Sequence, residues 1–140
     1  MSGVSNELEA RVRSLAANRC GYCLVPQKLV SYKLEIEHLI PKAKGGETEE
    51  ENLWLACRQC NLIKGIKIQG LDTLTFEHAD LFNPRKQIWS DHFVWSNDNI
   101  EVIGKTPCGR AKVSALQLNS DLQKTARSLW SLTGIFPPNQ

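Results

Sequence analysis

Residues 34 to 65 contain one set of side chains that can do chemistry and half of a second set, whose other half lies upstream. The first set combines a carboxylate, an imidazole and two amides, supplied by Glu37, His38, Asn52 and Asn61. Carboxylate and amide oxygens suit a hard divalent cation, and histidine is the side chain that most readily exchanges a proton near neutral pH. These four residues therefore predict a hard-metal site beside a general base.

The second set is four cysteines in two Cys-x-x-Cys pairs, Cys20 with Cys23 and Cys57 with Cys60. Four thiolates complete the tetrahedron of zinc and leave no open position, so such a site is structural. The pairs are separated by residues 24 to 56, which is more than the spacer of an ordinary zinc ribbon, so a folded segment must lie between them. The alternative for each pair alone is a buried or redox-active couple, but the βαβ context of a redox motif is missing.

The composition of the chain sets limits on its class. Its 140 residues suit one domain of ordinary size, or a small domain with an extension, and its net charge of +2 is too small to indicate a nucleic-acid partner without local clustering. No stretch approaches the roughly 20 apolar residues of a membrane span, and the polar start does not resemble an export signal. We therefore expect a cytoplasmic protein without membrane contact, in which cysteines favour zinc over disulfides. The fifth cysteine, Cys108, is expected to be an incidental or small buried thiol.

Hydrophobic periodicity predicts the elements that position these side chains. Apolar residues at helical spacing predict a helix over residues 6 to 17, with Asn6 as its cap. Alternating apolar residues predict a strand over residues 33 to 40, and residues 61 to 68 are typical of a short helix. A hairpin, a loop and this helix would bring the carboxylate, the imidazole and the second amide to one place.

The residue pattern of the sequence changes after residue 70. This change predicts a core over residues 1–70 and an extension over residues 71–140 that packs on it. Within the extension we expect strands over residues 100 to 103 and 112 to 118, joined by a turn at residues 106 to 110. A final helix over residues 120 to 132 is expected, with Asn119 as its cap and Leu122, Ala126 and Leu129 on one face.

The sequence also resembles a known family. The order Glu37-His38, Pro41, Gly45-Gly46, Asn52-Leu53 and Cys57-x-x-Cys60-Asn61-x-x-Lys64-Gly65 is similar to the HNH endonucleases, in the subgroup with paired zinc knuckles. The resemblance covers residues 19 to 66, and residues 81 to 119 are similar to the tail of some small bacterial HNH proteins. It implies an α+β fold with a ββα-metal core held by the four-cysteine zinc site, an N-terminal helix, and a C-terminal extension of strands and a helix. It also implies hydrolysis of DNA phosphodiester bonds with little sequence specificity.

The resemblance implies a role for each residue of the first set. His38 would be the general base, Glu37 and Asn61 would bind a catalytic Mg²⁺, Mn²⁺ or other divalent ion, and Asn52 would bond the backbone near His38 and hold its ring. The family most often has Asp or a second His where this chain has Glu37, so a backbone shift or a different carboxylate geometry must absorb one methylene. The alternative is a strand histidine satisfied by a backbone carbonyl, with the asparagines as turn and cap residues.

Five basic residues flank this centre and are expected to contact the phosphates of DNA, namely Lys42, Lys44, Arg58, Lys64 and Lys67. Phosphate contacts position a protein on nucleic acid and carry no sequence information. The alternative for these residues is a solvated surface. The competing interpretation of the whole chain is a non-catalytic, zinc-stabilised module that binds nucleic acid or a protein partner, with a metal site lost at Glu37.

Overall fold

The structure, a computed structural model, describes residues 3–139. The chain divides into two compact units, Met1–Ile66 and Lys67–Gln140, where the sequence predicted a boundary after residue 70. Helices and short antiparallel strand pairs make up both units, which confirms the predicted α+β class. None of the helices in the described part of the chain is both long and apolar enough to cross a membrane.

The first unit consists of a helix, a β-hairpin and a second helix, which are α1 (Asn6–Leu15), β1 (Glu35–His38), β2 (Leu53–Ala56) and α2 (Arg58–Lys64). The two strands pair in antiparallel register, with Glu35 opposite Ala56 and His38 opposite Leu53. The predicted strand over residues 33 to 40 is therefore shorter than expected. The predicted helix over residues 61 to 68 begins and ends earlier, because the second cysteine knuckle forms its first turn.

Apolar side chains of the hairpin form the core of this unit. Ile36 of β1 and both Leu53 and Leu55 of β2 are buried, and α1 packs against β2 through the fully buried Val12. Burial of each large aliphatic side chain contributes about 2 kcal/mol to folding. The hairpin thus has the rigid apolar support that a site at its end requires.

The cap of the first helix lies one residue earlier than predicted. Ser5 has the extended backbone of a cap, and its hydroxyl accepts a hydrogen bond from the backbone N–H of Leu8 at 3.1 Å. Asn6, which was expected to be the cap, is instead the first helical residue. Serine and asparagine are about equally good caps, so the sequence alone did not distinguish the two positions.

The second unit contains two strand pairs and three helices within its described residues. Its elements are β3 (Gln69–Leu71), β4 (His78–Asp80), α3 (Trp89–His92), β5 (Phe93–Trp95), β6 (Val102–Gly104), α4 (Pro107–Ala115) and α5 (Asp121–Trp130). β3 pairs with β4 and β5 pairs with β6, and both pairs are antiparallel. Helix α4 packs against β3 and β6.

The prediction of a strand over residues 112 to 118 is wrong, because most of that segment belongs to α4. The expected turn at residues 106 to 110 is the start of the same helix. Thr106 accepts a hydrogen bond from the backbone N–H of Gly109 at 3.0 Å, and Pro107 occupies the first helical turn, where a missing N–H costs nothing. A threonine followed by proline is a helix-start signal that competes with the turn interpretation.

The prediction for the last helix is correct in place and wrong in detail. Ser120, not Asn119, caps α5, while Asn119 bonds both the N–H and the C=O of Val102 at 2.9 Å. The expected apolar face is turned outward, since Leu122 is 81% exposed. The buried face carries Arg127, which donates to the carbonyl of Ile100 at 2.6 Å. A buried guanidinium that bonds one backbone carbonyl and the side chain of Asn119 therefore occupies the face on which the apolar pattern was expected.

Candidate metal and catalytic site

The four cysteines of the two knuckles meet at one point in the interior of the first unit. Their sulfur atoms all lie within 4.8 Å of one another, and all four residues are buried. The Sγ atoms of Cys23 and Cys57 are 3.7 Å apart. Four thiolates at about 2.3 Å from a zinc ion would lie about 3.8 Å from one another, so the cluster fits tetrahedral zinc.

Backbone N–H groups orient the sulfurs and favour their charged form. Cys57 caps α2, and its Sγ accepts from the N–H of Cys60 at 3.3 Å, while the Sγ of Cys20 accepts from the N–H of Tyr22 at 3.4 Å. Burial opposes ionisation, but contacts with the other sulfurs hold the pKa of Cys20 well below its usual value and raise that of Cys23. Ionisation of all four thiols therefore needs a cation at the centre of the cluster.

His38, the expected general base, is the last residue of β1, and its ring is partly buried. Its Nε2 lies 2.9 Å from the hydroxyl oxygen of Thr48. Burial lowers the pKa of His38 below its usual value of 6.5, and the positive charges of Lys42 and Lys64 lower it further. The neutral imidazole, which is the form that can accept a proton, is therefore favoured at neutral pH.

Asn52 joins the end of β1 to the loop that follows it. Its Oδ1 accepts from the N–H of Ile40, and its Nδ2 donates to the carbonyls of Ile40 and Glu47, each at 2.9 Å. These bonds hold the backbone two residues beyond His38. The side chain of Asn52 thus fixes the strand end and the loop, whereas the ring of His38 is held by Thr48.

Glu37 lies on the side of β1 that faces α2 and is only 3% exposed. The hydroxyl of Tyr22 donates to its Oε1, and the ammonium of Lys64 lies 3.7 Å from its Oε2. Lys64 also donates to the backbone carbonyls of His38 and Leu39, at 3.4 and 3.1 Å. A buried carboxylate needs such partners, and here protein groups contact both of its oxygens.

Asn61 lies on α2 and contacts the same side of β1. Its Nδ2 donates to Oε1 of Glu35 at 2.8 Å. Glu35 and Glu37 are two residues apart in a strand, so their side chains leave the same face. The structure therefore brings Glu37 and Asn61 to one strand–helix interface, but it gives them different hydrogen-bond partners. Glu37, Asn61 and the nearby Glu35 offer carboxylate and amide oxygens, which are the ligands that hard divalent cations prefer.

Two of the five basic residues expected at DNA, Lys42 and Lys44, lie exposed in a short helical turn after β1. The exposed guanidinium of Arg58 lies over the ring of Tyr32 at 4.3 Å, and its Nε donates to Glu35 at 3.3 Å. Both contacts leave part of the Arg58 guanidinium open to solvent, where it can still meet a phosphate.

The structure corrects the expectation that Lys64 contacts DNA. Its side chain is only 3% exposed, and its ammonium contacts Glu37 and the strand carbonyls described above. Charge attraction to the carboxylate and hydrogen bonds to the two carbonyls hold the ammonium in the interior. Lys67 belongs to the second unit, where its ammonium donates to the carbonyl of Ala115 at 3.4 Å.

Three residues that contact this site are not evident from the sequence motif, namely Tyr22, Glu35 and Thr48. The alternation of a strand is a signal for Glu35, because it shares a face with Glu37. Tyr22 lies between two cysteines of the cluster, a position that usually indicates only a turn. Thr48 contacts His38 because of the conformation of the loop between β1 and β2, and residue spacing does not predict that conformation.

A comparison with protein families supplies the remaining observation. Residues 20–67 match the family model described as HNH endonuclease. The chain carries an HNH domain. This domain contains both cysteine pairs, β1, β2 and α2, and it confirms the resemblance that the sequence indicated. Neither the curated proteins nor the solved structures that were compared contain a match.

The four-cysteine cluster predicts one structural zinc per chain. Cys57→Ser should lose that zinc and unfold the HNH domain, because metal binding and folding are linked in such sites. Elemental analysis and circular dichroism measure the two effects. The matched control is Cys108→Ser, which lies outside the cluster and should retain zinc and fold. Full zinc content in the Cys57→Ser protein would contradict the assignment.

The environment of His38 predicts a titration midpoint below 6.5 in the folded protein, measured by NMR of the ring protons. The folded state favours the neutral ring, so protonation favours the unfolded chain and stability should fall as pH drops through about 6.5. Lys42→Gln should raise the pKa of His38 without restoring it fully, because burial remains. Lys28→Gln, at an exposed lysine of the same unit, should leave it unchanged. A midpoint above 6.5 would contradict this account.

Proposed function

We propose that this chain is a metal-dependent endonuclease that hydrolyses DNA phosphodiester bonds with little sequence specificity. The observation that carries the proposal is His38, held by Thr48 at the end of β1 within an HNH domain and beside an oxygen-rich strand–helix interface. The neutral ring of His38 is suited to take a proton from water. The resulting hydroxide attacks phosphorus, and the bond to the 3′ oxygen breaks.

Glu37 and Asn61 would hold the divalent ion, Mg²⁺ or Mn²⁺. When bound, the ion supplies charge stabilisation to the scissile phosphate and the leaving oxygen. It would compete with the hydroxyl of Tyr22 and the ammonium of Lys64 for the carboxylate of Glu37. The chain's own contribution is to fix the strand end, through Asn52 and Lys64, so that His38 keeps one position relative to that carboxylate.

The exposed cations Lys42, Lys44 and Arg58 support a nucleic-acid substrate. They lie on the HNH domain that contains His38, and they would contact phosphates rather than bases. Binding should therefore weaken steeply as salt rises, because phosphate contacts release counterions. Four cysteines that hold zinc as thiolates fit a reducing, cytoplasmic setting.

A second candidate function is a non-catalytic, zinc-stabilised module that binds nucleic acid or a protein partner. The observation that favours it is the environment of Glu37, whose two oxygens already contact Tyr22 and Lys64 in the interior. A site whose carboxylate is satisfied by the protein has less need of a metal. The two candidates differ in one measurable property, which is binding of a divalent ion in addition to zinc.

The endonuclease function predicts conversion of supercoiled plasmid to nicked or linear DNA by zinc-loaded protein in Mg²⁺ or Mn²⁺. His38→Ala should lose about 10²- to 10⁴-fold in rate, the usual contribution of a general base, with zinc content unchanged. His78→Ala, a histidine on an exposed strand of the second unit, is the matched control and should cut normally. Wild-type rates from the His38→Ala protein would exclude His38 as the base.

The metal site predicts that zinc-loaded protein binds one Mn²⁺, observed as loss of the free-ion signal in electron paramagnetic resonance. Glu37→Gln should abolish this binding because the charged ligand is lost. Glu35→Gln, the neighbouring carboxylate on the same face, should weaken it much less. The reverse order would assign the ion to Glu35, and absence of binding to wild type would favour the non-catalytic module.

A further inference from the structure

We propose that Thr48 is a positioning residue that selects the working nitrogen of His38. Its hydroxyl accepts a hydrogen bond from Nε2–H, so the lone pair, and therefore the proton-accepting atom, is Nδ1. The catalytic part of this inference rests on the proposed endonuclease function, whereas the part that concerns the ring can be tested without it. Thr48 lies outside the set of residues that the motif identifies.

The geometry of the ring is the first support. Nε2 of His38 and Oγ1 of Thr48 are 2.9 Å apart, which is a good hydrogen-bond distance. Among residues 3–139, Thr48 is the hydrogen-bond partner of this ring, and it bonds Nε2, not Nδ1. Thr48 itself is partly buried, like the ring that it bonds.

The loop that carries Thr48 is held against the strand end at several points. The backbone N–H of Gly46 donates to the carbonyl of Pro41 at 3.0 Å, and Asn52 donates to the carbonyl of Glu47 at 2.9 Å. A Cβ at Gly46 would lie 1.7 Å from the carbonyl oxygen of Ile40, so a glycine is required at this close approach. The backbone of Glu47 is thus fixed, and the conformation of the loop places the hydroxyl of Thr48 beside the ring of His38.

The proposed role of His38 as a base favours one direction of the hydrogen bond with Thr48. A neutral imidazole has one N–H and one lone pair. If Thr48 donated to Nε2, the ring proton would lie on Nδ1 and the hydroxyl would occupy the lone pair of Nε2, so Nε2 could take a proton only after that hydrogen bond broke. If Nε2–H donates to Thr48, Nδ1 takes the proton of the attacking water, and the same hydrogen bond persists in the imidazolium that forms. The leaving 3′ oxygen then takes its proton from solvent.

The test is long-range ¹H–¹⁵N NMR of the His38 ring in the zinc-loaded full chain, at a pH where the ring is neutral. Wild type should show a single tautomer with the proton on Nε2. Thr48→Val has nearly the same shape without the hydroxyl, and it should show a mixture of tautomers. Thr48→Ser restores the hydroxyl and should restore the single tautomer. Retained zinc and dispersed amide spectra establish that each variant is folded.

Cleavage assays on the same three proteins test the catalytic consequence. Thr48→Val should cut plasmid about 10- to 100-fold more slowly, which is the effect known for loss of a hydrogen bond that orients a metal-binding histidine, while its affinity for DNA stays unchanged. Thr48→Ser should recover most of the rate. A wild-type rate in Thr48→Val would overturn the positioning role.

Failure of the tautomer assignment and failure of the proposed endonuclease function would give different results. A proton on Nδ1 in wild type, or an unaltered tautomer in Thr48→Val, would overturn the inference whatever the protein cleaves. A correct tautomer that Thr48→Val loses and Thr48→Ser regains, in a protein that cleaves no DNA with any ion, would support the assignment of the ring and contradict the proposed function.

Discussion

Convergence of four buried sulfurs on one point is the constraint on which the HNH domain depends. One pair of cysteines lies before β1, and the other lies where β2 passes into α2, so the cluster closes a loop that contains the whole hairpin. The backbone N–H of Gly21, inside the first knuckle, donates to the carbonyl of Leu55 at 2.9 Å. This bond connects the first cysteine knuckle directly to strand β2. Small domains with limited hydrophobic cores are commonly stabilised by a structural metal ion.

A second constraint is the buried charge between β1 and α2. Lys64 contacts the carboxylate of Glu37 and the carbonyls at the end of β1, so one ammonium joins the helix to the strand at the candidate catalytic position. A buried ion pair adds little net stability, but removal of one partner is costly because the other charge remains. The same ammonium that orders the strand also competes for the carboxylate that a divalent ion would use. Structural order and metal affinity therefore depend on the same contact.

Sequence reasoning succeeded where spacing determines geometry. The two cysteine pairs and the hairpin with its following helix are local patterns, and the structure contains them. It failed where two local signals competed, as at Thr106-Pro107, where a helix start was interpreted as a turn. It also failed where a distant contact overrides periodicity, since Arg127 occupies the buried face that the leucines of α5 were expected to fill. The contact between Thr48 and His38 depends on a loop closed by Gly46 and Asn52, and spacing does not encode that closure.

The most direct measurement of the central claim is anomalous diffraction from crystals of the zinc-loaded protein with a short DNA duplex and Mn²⁺. The account predicts a zinc peak among the four sulfurs, a manganese peak between Glu37 and Asn61, and a backbone phosphate facing Nδ1 of His38. Zinc at the sulfurs, with DNA bound away from His38 and no manganese at the interface between β1 and α2, would contradict the endonuclease function. That result would leave a zinc-stabilised binding module.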